Sequence, residues 1–191
     1  MHATENHTVN SVIAEVIRGR RTIGAFRPEL PPHDVIVSAL DLTRWAPNHK
    51  KTEPWHVTWL GAETVRAVID LNSRLIAETK GAAEAESKRK KWAEIPGWLV
   101  ITCDLADDAF RREEDYAACC CAIQNLMLAL WSAGIGTKWT TGGVTRHPEF
   151  FRLIGIDPPR QRVVGLIWYG YAASIPEQTR RPLETFLREL P

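Results

Sequence analysis

Residues 115–133, DYAACCCAIQNLMLALWSA, form the most apolar stretch of the chain and restrict its fold more than any other segment. Gln124 and Asn125 interrupt the run and Gly134 follows it, so its uninterrupted apolar stretches are too short to span a bilayer. The pattern instead predicts a central helix buried inside the protein. Three of the four cysteines, Cys119, Cys120 and Cys121, are consecutive within it. Adjacent helical side chains point about 100° apart, so these thiols cannot share one metal tetrahedron. No CxxC pair occurs, and they read as small buried residues in a reducing compartment.

Enclosing such a helix takes a sizeable chain. At 191 residues one domain is expected over the whole length, 1–191, with residues 1–8 flexible. A domain of this size buries roughly 70% of its unfolded surface and needs no disulfide or metal. Lys plus Arg is 24 and Asp plus Glu is 23, so no global field favours nucleic acid or an anionic membrane, and any basic site must be local. The first ten residues are polar and lack the apolar core of a signal peptide, which points to the cytoplasm. Eight tryptophans are many for one domain; they suit a core, an interface, or the walls around a planar ligand.

Helical and strand-like segments alternate, which predicts a mixed α/β or α+β domain. Helices are expected over residues 11–20, from Pro32 to Trp45, and over 63–80, with a charged, solvated and mobile helical segment at 84–92. Strands are expected at 55–60 (WHVTWL), 97–103 (GWLVITC), 136–141 and 162–171 (RVVGLIWYGY).

Three segments carry unusual numbers of donors. RGRRT (18–22) ends the first helix, where arginines either satisfy the helix terminus or match phosphate oxygens with their planar forks. APNHKK (46–51) is either a solvated connector or a loop aimed at an acceptor-rich group. KWTTGG (138–143) is either a polar turn or a strand end where glycines admit a ligand to the backbone. No GxSxG, GxxxxGK[ST], HExxH or GxGxxG signature is present, and His2, His7, His33, His49, His56 and His147 form no ligand-like helical pair. No metal ligands are assigned. Donors without an acid–base team favour a cofactor that brings its own reactivity.

RRT (20–22), RWAPNHKKTEPWHVTWL (44–60), the block from Asp115 to Gly143 and VVGLIWYGYAA (163–173), in that order, resemble the nitroreductase family of FMN-dependent oxidoreductases, in particular its shortest members. The resemblance runs from about Val9 to the tail. It implies an α+β sandwich whose central, mostly antiparallel sheet is flanked by helices. It also implies an intertwined homodimer with two FMN sites at the interface, supported by a central helix more apolar than one core requires. By the same resemblance, Arg20, Arg21 and Thr22 bind the FMN phosphate and Arg180 and Arg181 return to it. Trp45, Pro47, Asn48 and His49 would reach the flavin from the other subunit, and Trp139, Thr140 and Thr141 would lie along it. Two positions depart from the pattern: Gly24 stands where many members carry Arg or Lys, and Trp45 where the short members carry Arg, with Arg44 beside it.

The activity implied is ping-pong hydride transfer from NADH or NADPH through FMN to a small electron-poor acceptor such as a nitroarene or quinone. No catalytic side chain is required. His49 fits either a hydrogen bond to FMN or a proton donor, its ordinary pKa lying near about 6.5. Rival readings are a specialised flavoenzyme on the same scaffold (dehalogenation, flavin fragmentation, ring dehydrogenation), a non-catalytic flavin-binding or interaction protein, and a domain whose basic loop meets an acidic partner.

Overall fold

The structure, a computed structural model, describes residues 10–191; the expectation for residues 1–8 lies outside them. In chain order the elements are α1 (Ser11–Gly19), α2 (His33–Asp41), β1 (Trp55–Trp59), α3 (Ala62–Lys80), α4 (Ala82–Ala93), β2 (Gly97–Asp104), α5 (Ala109–Ser132), β3 (Gly136–Thr140), α6 (Pro148–Ile154) and β4 (Gln161–Gly170). Short 3-10 turns at Leu42–Trp45 and His49–Lys51 join α2 to β1. The four strands form one sheet in the order β1-β2-β4-β3 with every pair antiparallel, the α+β arrangement expected.

The two central strands explain why their sequences read as continuous apolar runs. Leu99, Ile101 and Cys103 of β2, with Ile167 and Tyr169 of β4, pack under α2 and α5. Trp98 and Val100, with Leu166 and Trp168, pack against α3 and α6. Both faces are covered, so alternation between apolar and polar residues disappears. A bulge interrupts the pairing: Ile101 opposes Gly165 while Thr102 opposes Val163, leaving Val164 unpaired. Past this point the side chains of β4 exchange faces, and Val164 joins the cluster under α5.

The apolar run is indeed a helix, but α5 starts earlier than residue 115, with the Asp108 carboxylate capping it by accepting from the Arg111 amide at 2.8 Å. Its first two turns are charged and mostly exposed, so they carry no apolar signal. Beyond them Cys119, Ile123, Leu126 and Leu130 are fully buried. All four cysteines are free thiols, Cys103 and Cys119 buried against the sheet. Hydrogen bonding with the Cys103 thiol, together with burial, pushes the Cys119 thiol well above the ordinary range, so it stays protonated.

The charged segment expected to be mobile is the docked helix α4. Gly81, at φ 86°, turns the chain between α3 and α4 in a conformation open mainly to glycine. Ala85 is buried, and Trp92 meets Trp98 and Trp168 edge-on with centroids 5.5 and 5.1 Å away. Two apolar contacts at the ends of a polar helix fix it without producing a strong periodic pattern. Helix α6 was not expected at all. It is short, and its signals are local: His147 Nδ1 accepts from the Glu149 amide, Pro148 occupies the first turn, and Gly155 closes it at φ 71°. Among the described residues no helix is long and apolar enough to cross a membrane.

If α4 is held by its indole, Trp92→Ala will lower stability by about 3 kcal/mol. Lys91→Ala on the exposed face of the same helix will change it by less than about 0.5 kcal/mol. Urea unfolding followed by circular dichroism measures both.

Candidate functional site

The arginine segment is built from the end of α1. Arg21 turns back, and its Nη1 donates to the carbonyls of Arg18, Gly19 and Arg20 at 2.5, 3.0 and 3.1 Å. It satisfies the helix terminus and cancels the partial negative charge there. Its Nε is buried without a hydrogen-bond partner. Arg20 shares a cleft of about 260 Å³ with Arg18, Arg21 and Arg180, lined otherwise by Ile17 and Gln178. Among the described residues no carboxylate lines it. Burial, with Arg180 and Arg21 beside it, lowers the Arg20 guanidinium from its ordinary value. Cations crowded together without a counter-ion are what a phosphate dianion would relieve.

Of the expected C-terminal pair, only Arg180 reaches this cleft. Arg181 lies over the Phe186 ring at 5.1 Å. Thr22 makes a single parallel bridge to Thr137, and the Ile23 amide donates to the Thr137 carbonyl at 2.9 Å. The first donor segment is thus laid along β3, which ends in the third. At about 3.3 Å per residue, Thr140 lies some 10 Å further along the strand than Thr137. Gly24 stands in open space, so no steric demand explains a glycine there.

The third segment divides between the two faces of β3. Trp139 crosses the bare backbone of Gly165, where any side chain would collide with its indole, and donates from Nε1 to the Val164 carbonyl at 3.2 Å. Thr140 lines the opposite face, a cavity of about 690 Å³ between β3 and the α3–α4 hairpin, together with Lys138, Gly142 and Gly143. Thr141 is exposed beyond the strand end. Lys80, Lys88 and Arg146 also line this cavity and, unlike Lys138, belong to none of the three donor segments. They come from α3, α4 and the turn after β3, so no motif joins them.

The second segment is held apart from the other two. Asn48 Oδ1 accepts from the Glu53 amide at 2.7 Å and its Nδ2 donates to Thr52 Oγ1 at 3.0 Å. Thr52 in turn donates to the buried carboxylate of Asp115 on α5 at 2.5 Å. Lys50, Lys51 and Glu53 all have positive φ, at 62°, 53° and 47°. Left-handed backbone at three non-glycine residues in four positions is strained, and these hydrogen bonds hold it. The asparagine side chain is therefore engaged within its own loop. Pro47 and His49 are exposed, His49 Nδ1 lying 3.8 Å from Glu114, and Arg44 pairs with Asp41 at 3.3 Å. Trp45 is 74% exposed, beside the uncovered apolar side chains Val12, Ile13, Ile17 and Leu42.

Glu114 lies near one end of α5, while Trp131, which packs against Gly19, lies at the other. Seventeen residues of helix put them ~25 Å apart. Within one chain the loop donors and the arginine cleft do not converge.

A model of the "Nitroreductase family" matches residues 17–171. YfhC of Bacillus subtilis, provisionally named an NAD(P)H nitroreductase, is 30% identical over 185 residues, 95% of each chain. A nitroreductase-like family protein from Bacillus cereus superposes with a TM-score of 0.82 at 30% identity, over 96% of this chain and 98% of its own. The FMN-dependent nitroreductase NfnB from Mycobacterium smegmatis, solved in complex with NADPH, shares the fold at a TM-score of 0.76 and 18% identity, over 95% and 99%. The match covers most of the chain and the 30%-identical relatives span nearly all of it: the chain belongs to the nitroreductase family.

Proposed function

We infer that this chain is an FMN-dependent oxidoreductase, taking reducing equivalents from NADH or NADPH and passing them to small electron-poor acceptors such as nitroarenes or quinones. The observation that carries the reading is the cleft, without a carboxylate among the described residues, in which Arg20 and Arg180 crowd together beside the buried Nε of Arg21. These residues fit the phosphate of FMN, and the description of the mycobacterial neighbour as FMN-dependent agrees with it. Bound FMN would supply the redox chemistry by accepting a hydride and releasing it to the second substrate.

The chain's own residues bind and orient. Arg20 and Arg180 hold the phosphate, while Arg21 neutralises the helix end that would otherwise repel it. Thr22 is bridged to Thr137 of β3, and Thr140, Gly142 and Gly143, which line the cavity at the end of that strand, would border the ring of bound FMN. Lys138 would bring positive charge to that ring, and the loop donors, His49 among them, would do the same from a second copy of the chain. Three observations support that homodimer: the separation of loop and cleft, the uncovered strip of Val12, Ile13, Ile17 and Trp45, and the exposed Leu183, Phe186 and Leu187 of the tail. The whole chain acts as one domain in this reading.

The purified protein will be yellow, and NADPH will bleach its visible flavin band in the absence of oxygen. A colourless protein that takes up no added FMN would sink the reading; a yellow one that both NADH and NADPH leave unchanged would mark a non-catalytic flavin binder. Arg20→Ala and Arg180→Ala will each weaken FMN binding by about 10- to 100-fold, the loss of a charge-assisted hydrogen bond. Arg181→Ala will change it by less than about twofold, because an exposed side chain turned toward Phe186 contributes little elsewhere. Quenching of FMN fluorescence by apoprotein reads both. Ile13→Asp, which puts a charge in the apolar strip, will yield a monomer by light scattering and reduce bound FMN with it.

A further inference from the structure

The cavity between β3 and the α3–α4 hairpin has a charge pattern that phosphate binding does not explain. Lys80, Lys88, Lys138 and Arg146 line it against a single carboxylate, Glu78. Lys88 has a partner outside the cavity, Glu84 at 3.6 Å, and the Lys138 ammonium stands 5.0 Å from the centre of the Trp168 ring. Lys80 closes α3, Lys88 lies on α4, and Arg146 ends the turn after β3. Beside these cations the lining is apolar, with Trp92 and Trp168, whose rings meet edge-on, and with Leu75 and Val144. In a chain with 24 basic and 23 acidic residues, this imbalance is local.

Resting on the reading above, in which the flavin ring enters this cavity, the geometry points to an acceptor that is itself an anion: a planar, electron-poor aromatic carboxylate. The aromatic ring lies on the tryptophan wall, and the carboxylate meets the cations the cofactor leaves free. A cleft with low-dielectric walls and one sign of charge concentrates field lines and raises the encounter rate of oppositely charged substrate. For a nitroarene carboxylate the balance is one NADPH and one proton consumed. The nitro group gains two electrons and loses one oxygen as water, giving a nitroso group and NADP+. The carboxylate takes no part in the transfer and serves only recognition.

The test compares 4-nitrobenzoate with 4-nitrobenzamide, which differ in charge and little in shape, on the FMN-loaded protein with NADPH. The expected result is a kcat/KM ratio of about tenfold in favour of the anion at low salt, shrinking as ionic strength rises. Arg146→Gln will narrow that ratio, with thermal melting confirming that the variant is folded. Benzoate, which cannot be reduced, will quench tryptophan fluorescence at lower concentration than benzamide, reporting occupancy beside Trp92 and Trp168 without turnover. A ratio of one or below that ignores both salt and Arg146→Gln overturns the anionic acceptor while leaving the oxidoreductase reading intact. Failure of both NADH and NADPH to reduce either compound, or any quinone, overturns both.

Discussion

A helix of 24 residues that is apolar around most of its circumference must be enclosed, and the rest of this chain is arranged to enclose α5. The sheet covers one side through Leu99, Ile101 and Ile167, and α2 covers another through Ile36 and Ala39. Helix α1 lies across its far end, where Gly19 meets Trp131. Even so, enclosure within one chain is incomplete, because the groove between α1 and α5 keeps Leu128 and Ala129 beside exposed apolar side chains. The same demand that builds the core thus leaves a surface suited to a second copy.

Electrostatics is distributed with similar economy. A nearly neutral chain still brings cations together in two places, the arginine cleft behind α1 and the lysine-rich cavity beside β3. At the surface Arg74 pairs with Glu149 at 2.7 Å and Arg89 with Asp70 at 3.0 Å. Each such pair contributes little to stability.

The elements whose pattern is set by burial were legible in the sequence: α5, and the two-sided strands β2 and β4, announce themselves as apolar runs. Elements fixed by one or two contacts were not. Helix α4 reads as solvated because a single indole docks it, and α6 is too short for periodicity to emerge. At the site, residue type indicated the donors but not their direction. Arg20 and Arg21 are adjacent and identical and both border the cleft, yet only Arg21 also turns back to cap the helix. Asn48 looked like a ligand donor and serves its own loop, whose left-handed lysines no propensity scale would predict. Of the cavity cations only Lys138 lay in a segment read as a donor site, because only the folded chain sets the α3–α4 hairpin against β3 and the turn after it.

One consequence of the length of α5 concerns how such a protein can vary. The helix acts as a ruler with the loop anchored through Asp115 at one end and the arginine segment braced through Trp131 at the other. Inserting or deleting a single residue between them would rotate one end by about 100° against the other and shift it by about 1.5 Å. Substitutions along the ruler change only its packing, whereas a change of length would throw both of its ends out of alignment at once. Over generations, then, this segment is free to change its letters far more readily than its count.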